Sequence, residues 1–197
     1  RFTTRSSIYS GKMFPRKAVF IDRDGTVIDA VHRPDFHKQI TAPFVESEVK
    51  LVPNVYADLQ RLKDLDYLRI MVTNQPDVLH EHMDEDVWRR IQKRITDILS
   101  FDDVYMCRHR AEDKCIFKKP SPFMLWSAAD KWGIDLSRSF MVGDTDADML
   151  SGEMAGCTTI LIDKFYNKDI RSDIRVASFA NAVRYIQLSE LFDFMPL

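Results

Sequence analysis

The chain has 197 residues, 45% of them hydrophobic and 29% charged, and its 28 Lys and Arg against 30 Asp and Glu leave a net charge of -2. That length can bury one core of ordinary domain size, and the charge balance excludes an overall basic field for capturing nucleic acid or anionic lipid. No apolar run approaches the roughly 20 residues that a membrane-spanning helix needs, so neither a nucleic-acid partner nor a membrane is expected.

Residues 1–16 belong to a stretch rich in basic and hydroxyl side chains and devoid of acids, which reads as a tail: a presequence remnant, a vector-derived stretch or a plain extension. Residues 17–197 are expected to form a single domain. "KAVFID" (17–22) is a short apolar strand of the kind buried on both faces of a parallel sheet. Asn54 opens a helix in which Val55, Leu59, Leu62 and Leu65 recur at helical spacing. "LRIMVTN" (68–74) is a second strand, residues 84–99 form a helix with acids in its first turn, and "FDDVYMC" (101–107) is a third strand. A helix over 121–133 has Pro near its start and Gly past its end. Strand 139–144, helix 146–156, strand 158–163, a short strand over 175–179 and a last helix complete the chain. This alternation predicts an α/β fold with a doubly wound, mainly parallel sheet.

In open α/β sheets, ligands bind outside the carboxyl ends of the strands. The first strand ends on Asp22 and Asp24, the second on Thr73 and Asn74, and the fourth on Asp144, while Lys119 precedes the third helix. Two neighbouring carboxylates repel each other and are costly to desolvate, so they call for a cation or a shared proton. A hard divalent ion with Asp144 as a further oxygen ligand satisfies both. Mg2+ suits such a site because it accepts a few carboxylates, keeps waters and leaves a position for a phosphate oxygen. Thr73 and Lys119 then offer a hydroxyl and a fixed positive charge to that phosphate. Each fragment alone also reads as a turn, a solvated charge or an acidic helix start; their order at successive strand ends makes the set specific.

The set "DRDGT", "TNQ", "KKP" and "GDTDAD" resembles the motifs of the haloacid dehalogenase superfamily of phosphohydrolases, over nearly everything after residue 16. The resemblance implies a Rossmann-like core and aspartyl-phosphate chemistry. Asp22 would be the nucleophile, and Asp24 the acid/base that protonates the leaving alcohol and then activates water. Thr73, with Asn74 nearby, would bind the phosphoryl oxygens, and Lys119 would offset their charge. Mg2+ would be held by Asp22, the backbone carbonyl of Asp24 and Asp144, with Asp148 ordering its outer shell or Lys119.

A narrower likeness lies in "CRHRAEDKCIFKKPSP", which resembles the zinc-loop branch containing heptose-bisphosphate and histidinol-phosphate phosphatases. Cys107, His109 and Cys115 match three of its zinc ligands, but Phe117 stands in the fourth place. A structural Zn2+ normally takes four protein ligands, so the expectation lies between a weak, water-completed site and an inherited loop without metal. The branch's arginine after "TNQ" and its basic residue after the Gly-Asp pair are also absent, the latter replaced by Thr145. The stretch 27–50 is longer than the branch implies, and His32, Arg33, His37 and Lys38 in it are candidates to supply the missing charge.

No inserted segment is long enough for a large cap domain, so an open site bordered by loops is expected. The odd total of three cysteines suits a reducing compartment, which makes cytoplasm the expected location. The favoured activity is Mg2+-dependent hydrolysis of a small phosphate ester, a sugar phosphate or bisphosphate, by a monomer. Histidinol phosphate, a polynucleotide 3'-phosphate, and a catalytically silent phospho-ligand binder are the alternatives. A signalling receiver domain fits less well, since the third strand ends on Cys107 rather than on a phosphoacceptor acid.

Overall fold

The computed structural model describes residues 15–36 and 39–193. Five of its strands form the heart of a six-stranded parallel sheet: β1 (Lys17–Ile21), β4 (Tyr67–Asn74), β5 (Asp103–Cys107), β6 (Phe140–Gly143) and β7 (Thr158–Ile162). The short β8 (Ile174–Val176) adds an edge, giving the order β5-β4-β1-β6-β7-β8. β1 is central because its residues are apolar on both faces, and alternate side chains feed two separate cores. Val19 and Ile21 pack with Leu59, Leu62, Ile91, Ile95, Val183 and Ile186, from helices α1 (Val55–Asp64), α2 (Glu85–Ile98) and α5 (Phe179–Asp193). Ala18 and Phe20 pack on the other face with Met124, Leu125 and Ala155, from α3 (Phe123–Trp132) and α4 (Asp146–Ala155). The doubly wound expectation holds, and no helix among the described residues is long and apolar enough to cross a membrane.

The chain first steps from β1 outward to β4 and β5, then crosses back to pair β6 with the other side of β1. This reversal splits the carboxyl edge beside β1, where α/β sheets bind ligands. Element bounds differ from the sequence reading for local reasons. β5 begins at Asp103 because Asp102 turns back on Arg69, its N–H donating to the Arg69 carbonyl at 2.8 Å. Phe179, read as the end of a strand, starts α5 and is buried in the first core. Arg16, assigned to the tail, is anchored to the connection between α3 and β6: its N–H donates to Gly133 O at 2.9 Å and its carbonyl accepts from Asp135 N–H at 2.8 Å.

Residues 27–50 carry an antiparallel hairpin absent from the sequence reading, β2 (Val31–His32) with β3 (Ile40–Thr41). Two-residue strands are too short to show an alternating pattern. Phe36 and Phe44 from this region pack against His82, with ring centroids 5.1 and 5.0 Å away, and so fasten the hairpin to the loop after β4. The rim is therefore a hairpin and loops, as the lack of a long insertion predicts. His37 and Lys38 lie outside the described residues.

Candidate active site

Asp22 leaves β1 with its N–H donating to Val142 O at 3.0 Å, so the first aspartate sits where the strands part. Gly25 then turns the chain with φ +82°, and a Cβ there would stand 2.1 Å from Asp144 Oδ2. Only glycine suits both the dihedral and the approach. Asp22, Asp24, Asn74, Lys119, Asp144 and Asp148 together line one cavity of about 280 Å3, bordered by Ala30, Ile40 and Thr41 from the hairpin region. Six of the sequence-assigned residues thus converge. Thr73 lies just beneath, 1% exposed, with its hydroxyl accepting from Gln75 Nε2 at 2.9 Å.

Lys119 is the hub. Its ammonium donates to Asp22 Oδ1 at 2.7 Å, Asp148 Oδ1 at 2.5 Å and the Val72 carbonyl at 2.7 Å, which uses all three N–H groups. Burial acts against its charge, but the Asp148 and Asp22 carboxylates outweigh it and hold the lysine pKa above the ordinary value. Asn74 locks the Lys119 backbone from both sides, donating to its carbonyl at 3.0 Å and accepting from its N–H at 3.1 Å. The other Asp148 oxygen accepts from the N–H and hydroxyl of Thr145, at 3.0 and 2.6 Å, in a capping box at the start of α4. Both of its oxygens are engaged, which fits a supporting part. Thr145, which replaces the basic residue of the resembling branch, serves this cap.

The acids outnumber the cation. Ligand atoms of Asp22, Asp144 and Asp148 lie within 4.8 Å of one another. Burial, followed by the charges of Asp148 and Asp24, pushes Asp22 up to about 7 against the pull of Lys119. Burial and then the Asp22 and Asp148 charges raise Asp144 well above the carboxylate range. Asp144 Oδ1 is buried without a hydrogen-bond partner. A buried carboxylate oxygen with no donor beside a second carboxylate is what a hard cation satisfies, so these residues fit Mg2+.

Four residues of the site carry no role in the sequence reading. Tyr166, after β7, donates its hydroxyl to Asp144 Oδ2, and Asn167 donates to the Asp144 and Ile162 carbonyls, each at 2.8 Å. Arg23, 1% exposed, donates to Asp24 at 2.9 to 3.1 Å and to Gln92 Oε1 at 2.9 Å. Gln75 Nε2 reaches Asp24 Oδ2 at 2.6 Å. Gln75 was legible as part of "TNQ", and Arg23 as a charge inside a buried run.

The "HAD-hyrolase-like" family model matches residues 116–182. The D-glycero-beta-D-manno-heptose-1,7-bisphosphate 7-phosphatase of Pasteurella multocida is 32% identical over 151 residues, 71% of this chain and 77% of that protein. The chain belongs to the haloacid dehalogenase-like hydrolases. This hydrolase is also 36% identical over 141 residues to the histidine biosynthesis bifunctional protein HisB of Buchnera aphidicola, covering 68% of the chain but 37% of that larger protein. In fold it is similar to the crystal structure of D,D-heptose 1.7-bisphosphate phosphatase from B. bronchiseptica complexed with magnesium and phosphate, with a TM-score of 0.73 and 20% identity over 88% of this chain and 99% of that one.

The hydrolase's cysteine loop brings ligand atoms of Cys107, His109 and Cys115 within 4.8 Å of one another. Cys107 Sγ and His109 Nδ1 are 3.8 Å apart, and burial holds the Cys107 thiol above its ordinary pKa. Phe117 is 41% exposed and rests edge-on against Phe123 rather than filling a core.

Proposed function

We propose that this hydrolase cleaves a small phosphomonoester through an aspartyl-phosphate on Asp22, and that its substrate is a sugar bisphosphate. The observation that carries the chemistry is the Asp22–Lys119–Asp148 chain of hydrogen bonds beside the unpartnered Asp144 oxygen. Lys119 leaves Asp22 Oδ2 free of its ammonium and orients the carboxylate for attack on phosphorus. The P–O bond to Asp22 forms as the P–O bond to the alcohol breaks, and Asp24 gives its proton to the departing oxygen. Asp24 must first turn from the Arg23 and Gln75 donors that hold it toward the reacting atoms. In the second half Asp24 takes a proton from water, which attacks phosphorus and releases phosphate from Asp22.

Mg2+, when bound by Asp22, Asp144 and the Asp24 carbonyl, supplies positive charge against the transferring phosphoryl group. Thr73 and Asn74 bind and position that group, Lys119 offsets its charge while its three N–H groups stay on Asp22, Asp148 and Val72, and Asp148 keeps Lys119 in place. Heptose bisphosphate is favoured as the substrate by the likeness to the heptose-bisphosphate phosphatases along most of both chains. Histidinol phosphate is the second reading, supported by the HisB likeness and by the Cys107–His109–Cys115 spacing. Zn2+ on those three side chains is part of this proposal.

The test uses the intact chain with an aryl phosphate and Mg2+. Asp22→Asn is expected to remove turnover and phosphoenzyme, and Asp24→Asn to slow turnover by roughly 10²- to 10⁴-fold. Near-normal turnover by folded Asp22→Asn protein, with deamidation excluded by mass, would overturn the assignment.

A further inference from the structure

The reacting cavity, at about 280 Å3, lies just below the range of about 300–1,000 Å3 typical of small-molecule sites. A second cavity of about 430 Å3 adjoins it, and Ala30 and Ile40 line both. Tyr166 forms part of the wall between them, since it lines the second cavity while its hydroxyl reaches Asp144 in the first. A substrate with its ester phosphate on Asp22 therefore has room for its remainder beyond Ala30 and Ile40.

The charges of the second cavity are specific. Lys50 and Lys164 both line it, and neither has an ion-pair partner among the described residues. Of the acids around them, Glu48 is already held by Arg33 at 2.6 Å and Asp163 by Arg175 at 2.6 Å. Asp29 alone among the lining acids has no ion pair among the described residues, and the Lys164 charge also acts on Asp144 in the adjoining cavity. The same pairing commits Nε and Nη2 of Arg33 to Thr41 and Glu48. His32, with its ring against Phe165 at 5.8 Å, completes one wall.

Lys164 is also well placed mechanically. Its N–H donates to Asn167 Oδ1 at 2.9 Å, and Asn167 is the residue that grips the Asp144 carbonyl. One tight turn thus links the lysine to the reacting acids.

We infer that Lys50 and Lys164 form a distal subsite that takes the second phosphate of the substrate. The inference rests on the proposed phosphatase activity and deepens it. Two ammonium groups attract a second phosphate and repel an ammonium, so the subsite favours a sugar bisphosphate over histidinol phosphate, which carries an amine at neutral pH.

The experiment compares kcat/KM for heptose 1,7-bisphosphate and heptose 7-phosphate in the wild type, Lys50→Ala, Lys164→Ala and the double variant. Aryl phosphate turnover and a thermal melt are recorded alongside. The ratio of bisphosphate to monophosphate is expected to exceed one in the wild type, to fall about tenfold on loss of each lysine, and to be restored in part by Lys164→Arg. A ratio near one in the wild type, or a ratio that the lysine substitutions leave unchanged, overturns the subsite while aryl phosphate turnover persists. Absence of aryl phosphate turnover in the folded wild type overturns the phosphatase reading itself.

Discussion

Tyr166 sets a phenol hydroxyl on one oxygen of Asp144 and leaves the other oxygen bare. A carboxylate held this way presents a single lone-pair face, which matters because partners of metal ligands fix orientation and tune affinity. Tyr166→Phe is expected to raise the Mg2+ concentration giving half of the metal-induced rise in melting temperature by about tenfold or more. An unchanged midpoint would show that Asp144 needs no such support. The residues that sequence exposed lie at strand ends or at the helix starts beside them: Asp22, Asp24, Asn74 and Asp144 from the strands, Lys119 before α3 and Asp148 in α4 all reached the cavity. Tyr166 and Asn167 were missed although they follow the fifth strand of the reading at the same edge. The rule that located Asp144 applies equally to "DKFYN", and only the absence of a familiar motif there hid it.

At the scale of elements, the parallel strands were legible because buried β1 and β4 are nearly continuous apolar runs. The hairpin was not, since β2 and β3 are held by tertiary packing rather than by pattern. Its ring contacts also explain what stands near the missing arginine after "TNQ": His82 is packed between Phe36 and Phe44 and bonded to Asp77 at 3.2 Å, so it is a fastener rather than an anion ligand. The loop between β5 and α3 presents three clustered ligands with Phe117 half-exposed beside them. Elemental analysis of the purified chain is expected to give less than one Zn2+ per molecule, easily removed by chelator, and Phe117→Cys is expected to bind it more tightly. Full, chelator-resistant occupancy in the parent would mean that another group completes the site.

For the molecule as a whole, the site places a pH-dependent load on stability. In the metal-free protein Asp22 is raised from 3.8 to about 7 by burial and by neighbouring acids, and Asp144 is raised in the same direction. The native state then holds more protons than the unfolded chain between about pH 4 and 7, so stability falls as pH rises through that window. Acids whose pKa is lowered act oppositely: Asp102, paired with Arg69, and Glu190, bonded to Lys17, contribute stability that is lost on acidification below about pH 4. In chelator, the melting temperature is expected to be lower at pH 8 than at pH 5, and Mg2+ to raise it more at pH 8, where no proton competes. A chelated protein that melts higher at pH 8 would contradict the charge excess inferred for the site.

The Asn74 clamp ties these scales together in a way that bears on evolution. Asn74 pairs in register with Cys107, the neighbouring Gln75 N–H donates to the Cys107 carbonyl at 2.7 Å, and the Asn74 side chain seizes the Lys119 backbone. Both ends of the cysteine loop are thus stapled at one place, where Lys118 also binds the loop, its N–H donating to Cys115 O at 3.0 Å and its ammonium to His109 O at 2.9 Å. Because Asn74 grips the Lys119 backbone from a strand end outside the loop, Lys119 has a support that a substitution inside the loop does not remove. Phe117 stands beside an intact Asn74–Lys119 clamp, so the loop is a region where drift can proceed while Lys119 keeps its position.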